Sequence, residues 1–122
     1  MRNNGGRYLE AIDIAHKVVE IASDKQAIDI LLLDARGICS FADYFVICSC
    51  DTSRQMHAAY DEIAKSLKRE GILPHHHEGE VDSGWLLLDY GEVIVHIFSL
   101  AERQYYQLDR LWGRANPVVR IQ

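Results

Sequence analysis

No apolar run in this chain of 122 residues approaches the roughly 20 residues a membrane-spanning helix needs, so no membrane segment is expected. The opening MRNNGGRYLE has no apolar core, and no secretory leader is expected there. Cysteine is scarce and odd in number: Cys39, Cys48 and Cys50, all in apolar text. That fits reduced thiols in a reducing, cytoplasmic compartment better than a disulfide framework. Positive charge is in the minority, with 13 Lys and Arg against 18 Asp and Glu and a net charge of −5. Proteins that grip nucleic acid draw much of their affinity from phosphate neutralisation by a basic face. Only short basic pieces occur here, such as Lys65, Lys68 and Arg69. Little direct nucleic-acid binding is expected, and a basic partner suits the chain better.

Several chemical sites are also missing. Gly5-Gly6 has no strand before it, so it is no phosphate loop. A two-metal nucleotidyl-transfer site needs carboxylates paired on one strand with a third nearby. Asp61 and Glu62 are adjacent and diverge on a helix, and Asp43 and Asp89 have no acidic partner two residues on. The run His75-His76-His77 alternates faces on an extended strand, so at most two of its rings could share an ion. No metal or cofactor is expected.

What is present reads as one domain of mixed α/β type. Residues 1–6 are expected to be a flexible terminus. Leu9, Ile12, His16 and Val19 recur at helical spacing and predict a helix over Arg7 to Ser23. Ala27 to Asp34 and Asp43 to Ser49 predict strands, the second apolar on both faces and therefore central. Asp51-Thr52-Ser53 can cap a helix that ends at Gly71, with Pro74 beyond it. A weak strand is expected over Leu73 to His77. WLLLDYGEVIVHIF, residues 85–98, predicts a hairpin turning at Gly91. Ser99-Leu100-Ala101-Glu102 reads as a capping box for a last helix running to about Trp112, and residues 116–122 are expected to be a tail. The order is α-β-β-α-β-β-β-α: a mixed five-stranded sheet packed with helices, with parallel strands in the middle β-α-β unit.

Two constellations invite function. Cys48-x5-Arg54, between a strand and a helix start, has the layout of a phosphatase loop with a thiolate nucleophile and an anion-clamping arginine. Against it, the loop has no glycine and Asp51 would put negative charge in the cradle. A buried cysteine followed by capping residues is the competing reading. His96, inside an apolar strand, reads as a satisfied core histidine, with pH sensing as its alternative. The second constellation is a set of aromatics beside acids: Tyr44 by Asp43, Tyr90 by Asp89, Trp112 near Asp109, with Trp85 opening the hairpin. Tyr and Trp anchor interfaces, so the chain reads as a binding module before it reads as an enzyme.

Ala42-Asp43-Tyr44-Phe45-Val46-Ile47-Cys48, Thr52-Ser53 with Gln55, Gly84-Trp85 with residues 87–98, and Glu102-Arg103, Tyr105-Tyr106, Leu108 and Arg110-Leu111-Trp112-Gly113 stand in one order and spacing. In these motifs residues 7–115 resemble the ribosomal silencing factor, or Iojap, family of bacteria and organelles. The resemblance implies a nucleotidyltransferase-like fold without the catalytic carboxylates. It implies a non-enzymatic translational repressor, a homodimer when free. Such a protein binds the large ribosomal subunit through its basic fourteenth protein and blocks subunit joining when nutrients are short. Carried onto this sequence, the partner-binding residues are Asp43, Tyr44, Trp85, Asp89, Tyr90, Glu102, Tyr106 and Trp112. The chain departs from the family at Cys48-Ser49-Cys50-Asp51, where relatives often carry glycine, and at Arg114, where they often carry an acid. A small cysteine phosphatase and a degenerate nucleotide-binding domain are the alternatives.

Overall fold

The computed structural model describes residues 3–4, 7–37, 39–106 and 116–121. The elements run β1 (Asn3–Asn4), β2 (Arg7–Tyr8), α1 (Ala11–Asp24), β3 (Ile28–Asp34), β4 (Tyr44–Cys50), α2 (Ser53–Arg69), β5 (His76–Glu80), β6 (Trp85–Asp89), β7 (Val93–Ser99), α3 (Leu100–Tyr106) and β8 (Asn116–Ile121). Among the described residues no helix is long and apolar enough to cross a membrane.

Both long helices start and stop where local chemistry directs. Glu10 and Asp13 cap α1 reciprocally, and the Glu10 N–H donates to Asp13 Oδ2 at 3.1 Å. That places the start at Ala11, four residues later than the periodicity suggests, with Arg7–Tyr8 paired instead to Asn3–Asn4 in a short antiparallel ladder. Thr52 Oγ1 accepts from the Gln55 N–H and opens α2. Gly71, at φ +81°, takes the left-handed conformation just past its end.

The main sheet has order β5-β6-β7-β4-β3-β8. The class is the expected one, but the sheet has six strands rather than five. The sixth is β8, from residues read as a tail, which pairs antiparallel with β3. The parallel neighbours are β4 and β7, with the hairpin β6–β7 antiparallel beside them. β5 therefore runs parallel to β4 without touching it, and it lies slightly later than expected, at His76–Glu80.

α1 and α2 cover one face. Ile14, Val18, Met56, Ile63 and Leu67 pack there on Ile30, Leu32, Val46 and Val95. Ala15, Ala22 and Ala59 have no exposed surface, and such small side chains let the helices approach closely. Each large aliphatic buried this way contributes about 1.5–3 kcal/mol. The opposite face carries a smaller cluster, with Leu31, Leu33, Phe45, Ile47, Ile94 and Phe98. α3 reaches this side, since the Arg103 guanidinium donates to Ser49 Oγ at 3.0 Å.

Candidate docking surface

The structure separates the residues singled out in the sequence into three places. Trp85 and Asp89 lie at the two ends of β6, on the face away from α1 and α2. Three further residues, Asp43, Tyr44 and Tyr90, gather beyond the hairpin turn. There the Glu92 carbonyl accepts from the N–H groups of both Asp43 and Tyr44, at 2.8 and 3.0 Å. Glu102 stands at the start of α3, its N–H bonded to Ser99 Oγ at 3.2 Å. Four residue steps of β6, about 13 Å, separate the Trp85 end from the hairpin end. The six described members fall in these three places. The Tyr106 side chain and Trp112 lie outside the described residues.

Two of these side chains are buried. Tyr44 is 5% exposed and Tyr90 is 7% exposed, and both rings join the helix-side core. The exposed Arg36 guanidinium, paired with Asp34 at 2.8 Å, stands 5.3 Å over the centre of the Tyr44 ring. That guanidinium holds the Asp34 carboxyl below its ordinary range. The Tyr90 hydroxyl is buried without a hydrogen-bond partner among the described residues, and burial raises its pKa. Neither ring has much surface left for a partner. Alternation along β4 puts Tyr44 with Val46 and Cys48, but which face the helices cover is not written in β4.

On the face away from α1 and α2, Trp85, Leu87 and Asp89 alternate with the buried Leu86 and Leu88. β5 adds Glu78 directly opposite Leu87 and His76 opposite Asp89. Glu78, Gly79, Ser83, Trp85 and Leu87 line a shallow groove of about 300 Å³. His76 Nε2 and Glu78 Oε2 are 3.2 Å apart along the edge. Asp89 Oδ1 accepts from the Gly91 N–H at 2.7 Å, which fixes that carboxylate to the turn. The result is a half-buried aromatic and a leucine between two carboxylates, on a rigid sheet. Leu87 and Glu78 escaped sequence reasoning. The only signal for Glu78 is its register with β6, which an all-polar edge strand does not reveal.

Beneath the groove lies an aromatic layer. Trp85 is stacked on Phe98 at 5.3 Å and lies 5.8 Å from His96, whose ring is 6.1 Å from Phe45. His96 is indeed a satisfied core histidine: its Nδ1 accepts from the Trp85 indole N–H at 3.1 Å. Burial pushes its pKa down to about 4.

The phosphatase layout does not survive its burial. Cys48 has no exposed surface, and desolvation pushes its thiol up to about 12. A thiolate nucleophile is then absent at neutral pH, and no substrate reaches the sulfur. Arg54 is exposed on α2. The hollow at the start of α2, about 300 Å³, is lined by Asp51, Asp82 and Glu102, with no Lys or Arg among the described residues that line it. Such a lining repels phosphate. All three cysteines are free. Among the described residues no three His, Cys, Asp or Glu side chains converge as metal ligands.

Known proteins agree with the fold and with the motifs. Residues 8–122 match the family described as "Ribosomal silencing factor during starvation". The chain is 45% identical to the ribosomal silencing factor of Bacillus subtilis over 92 residues, 75% of this chain and 78% of that protein. It is 36% identical to that of Halalkalibacterium halodurans over 110 residues, covering 90% and 93% of the two chains. A crystal structure from Chromobacterium violaceum superposes with a TM-score of 0.82 at 30% identity, covering 86% of this chain and 88% of that one. The chain belongs to the ribosomal silencing factor family.

Proposed function

We propose that this protein is a non-enzymatic repressor of translation that acts in the bacterial cytoplasm, docks on the large ribosomal subunit through its basic fourteenth protein, and sterically blocks subunit joining when nutrients are limiting. The family is named for silencing ribosomes, and its named relatives are ribosomal silencing factors. The observation that carries the docking mode is the face of β6 away from α1 and α2: Trp85 and Leu87 half-buried between Glu78 and Asp89. Rigid aromatic and aliphatic side chains supply the desolvated centre of an interface. Carboxylates around them steer a basic partner and disfavour an acidic one. The net charge of −5 makes direct contact with ribosomal RNA a minor part of the affinity. Free protein is a homodimer in this reading, as the family resemblance implies.

The test is co-sedimentation with purified large and small subunits across a salt series, followed by a subunit-joining assay. The reading expects selective pelleting with large subunits, loss at high salt, and inhibition of joining. Trp85→Ala and Glu78→Lys should each weaken pelleting about tenfold or more, the effect of losing an anchor or reversing an interfacial charge. Pelleting of both variants at wild-type levels, with unchanged melting, removes this face from the interface. Absence of wild-type pelleting at low salt removes the function itself.

A further inference from the structure

A half-exposed tryptophan on a strand normally retains rotamer freedom, and ordering it on binding costs affinity. Trp85 does not have that freedom. Stacking on Phe98, with the ring planes 24° apart, fixes the plane of the indole but leaves sliding within the plane soft. The hydrogen bond to His96 is directional and removes the sliding. An indole N–H can only donate, so Nδ1 must carry a lone pair, and the imidazole proton then resides on Nε2. Burial of His96, 6% exposed, keeps that acceptor neutral at physiological pH. The donor and acceptor sit diagonally across β6 and β7, where Leu87 pairs with His96 and Trp85 with Phe98.

We infer that His96 is a positioning residue of the docking surface: its Nδ1 holds the Trp85 indole in one orientation, so that a basic partner meets a preformed apolar and π surface. The inference rests on the β6 face being the docking surface. It also sets the chemistry of recognition. The indole's single polar hydrogen is used inward, so Trp85 has no hydrogen bond left to donate to the partner. It presents carbon edge and π density, which suit the stem and the cationic head of an arginine or lysine. Affinity from Trp85 is thus gained through a ring ordered before the encounter.

The test uses the full chain labelled with ¹⁵N. The two indole N–H resonances are told apart with Trp112→Phe, and association with large subunits is measured in parallel. His96→Phe removes the acceptor and keeps an aromatic ring against Phe45 and Phe98. The expected result is a shifted Trp85 indole resonance, hydrogen exchange at least about tenfold faster, and association weakened about fivefold, the worth of one net hydrogen bond. His96→Asn, whose Oδ1 stands near the Nδ1 position, should restore part of both losses. In a Trp85→Phe background His96→Phe should cost nothing further, because the histidine acts through the indole. If His96→Phe melts early, His96→Leu, which places a methyl group and no acceptor near the Nδ1 position, replaces it. An unchanged indole resonance and exchange rate overturns the positioning role. So does an equal loss of association in the Trp85→Phe background. If Trp85→Ala leaves association intact, the docking reading falls, while the indole spectrum still decides whether His96 orders the ring.

Discussion

Replacing Gly79 by alanine perturbs the proposed docking face through the backbone rather than through any side chain on it. Gly79 is the fourth of the five residues of β5 and has φ +91°. A Cβ there would lie 2.0 Å from the Trp85 carbonyl oxygen, 3.1 Å from its carbon and 3.3 Å from Leu86 Cα. All three atoms are backbone of the neighbouring strand, so no side chain can swing aside. β5 must move off β6 by more than an ångström. The left-handed conformation costs about 1–2 kcal/mol in any residue with a Cβ. Losing about two ladder hydrogen bonds costs about 1 kcal/mol each. The sum is about 3–4 kcal/mol. Unfolding entropy of about 2.1 cal/mol/K per residue makes each kcal/mol worth roughly 4 °C in a chain of 122 residues. Thermal melting followed by circular dichroism should therefore fall by about 12–16 °C. Gly37→Ala is the control. Its φ is +89°, but an added Cβ meets nothing within 4 Å. It should fall by only about 4–8 °C, the conformational part alone. Equal shifts for the two variants would refute the steric argument. A Gly79→Ala protein still folded below its melting point should bind large subunits poorly, because Gly79 and Trp85 line one groove.

Tyr90→Phe should raise stability by about 1 kcal/mol, because it removes a buried hydroxyl without a described partner, and should leave subunit binding unchanged. Urea titration and co-sedimentation check the two halves, and a loss of binding would return Tyr90 to the interface. The His96 imidazole goes from 6.5 in the unfolded chain to about 4 when folded. The unfolded chain therefore takes up the proton first as pH falls, so this stability is full above pH 6.5 and is lost toward pH 4. At pH 5 the loss is about 2 kcal/mol. His96→Phe should lack that part of the decline, and parallel curves for the two proteins between pH 7.5 and 5 would contradict it. Thiol alkylation of native protein should spare Cys48 and Cys50, pushed up to about 12 and about 11, until denaturant is added. Rapid native labelling of Cys48, read by peptide mass, would reopen its chemistry.

The elements legible in the sequence are those with apolar periodicity and local stop signals. Residues 85–98 form the hairpin, turning at Gly91, because two apolar runs flank a residue free to take φ +87°. Gly71 ends α2 for the same local reason. β8 was not legible. Asn116-Pro117 reads as a stop, yet at the second position of an edge strand the missing proline N–H costs little. β5 was displaced because all its residues are exposed and no alternation marks it. The placement of the candidate residues was legible only in part. Trp85 and Asp89 lie on the face away from α1 and α2, whereas Tyr44 and Tyr90 turn toward the helices, because strand alternation says which residues share a face and nothing of what covers it. Glu78 joins only through long-range register.

β8 has a consequence for how the protein is made. It pairs residues 116–121 with residues 30–34, so the strand beside β4 waits for nearly the whole chain to be synthesised before its outer edge is closed. Until then Leu31, Leu32 and Leu33 stand on a strand with an open row of backbone donors and acceptors, a template for pairing with another nascent chain. A chain stopped at residue 115 would keep the proposed docking face and both long helices and still leave that edge open. Its failure would be seen as aggregation during synthesis rather than as lost affinity for the ribosome.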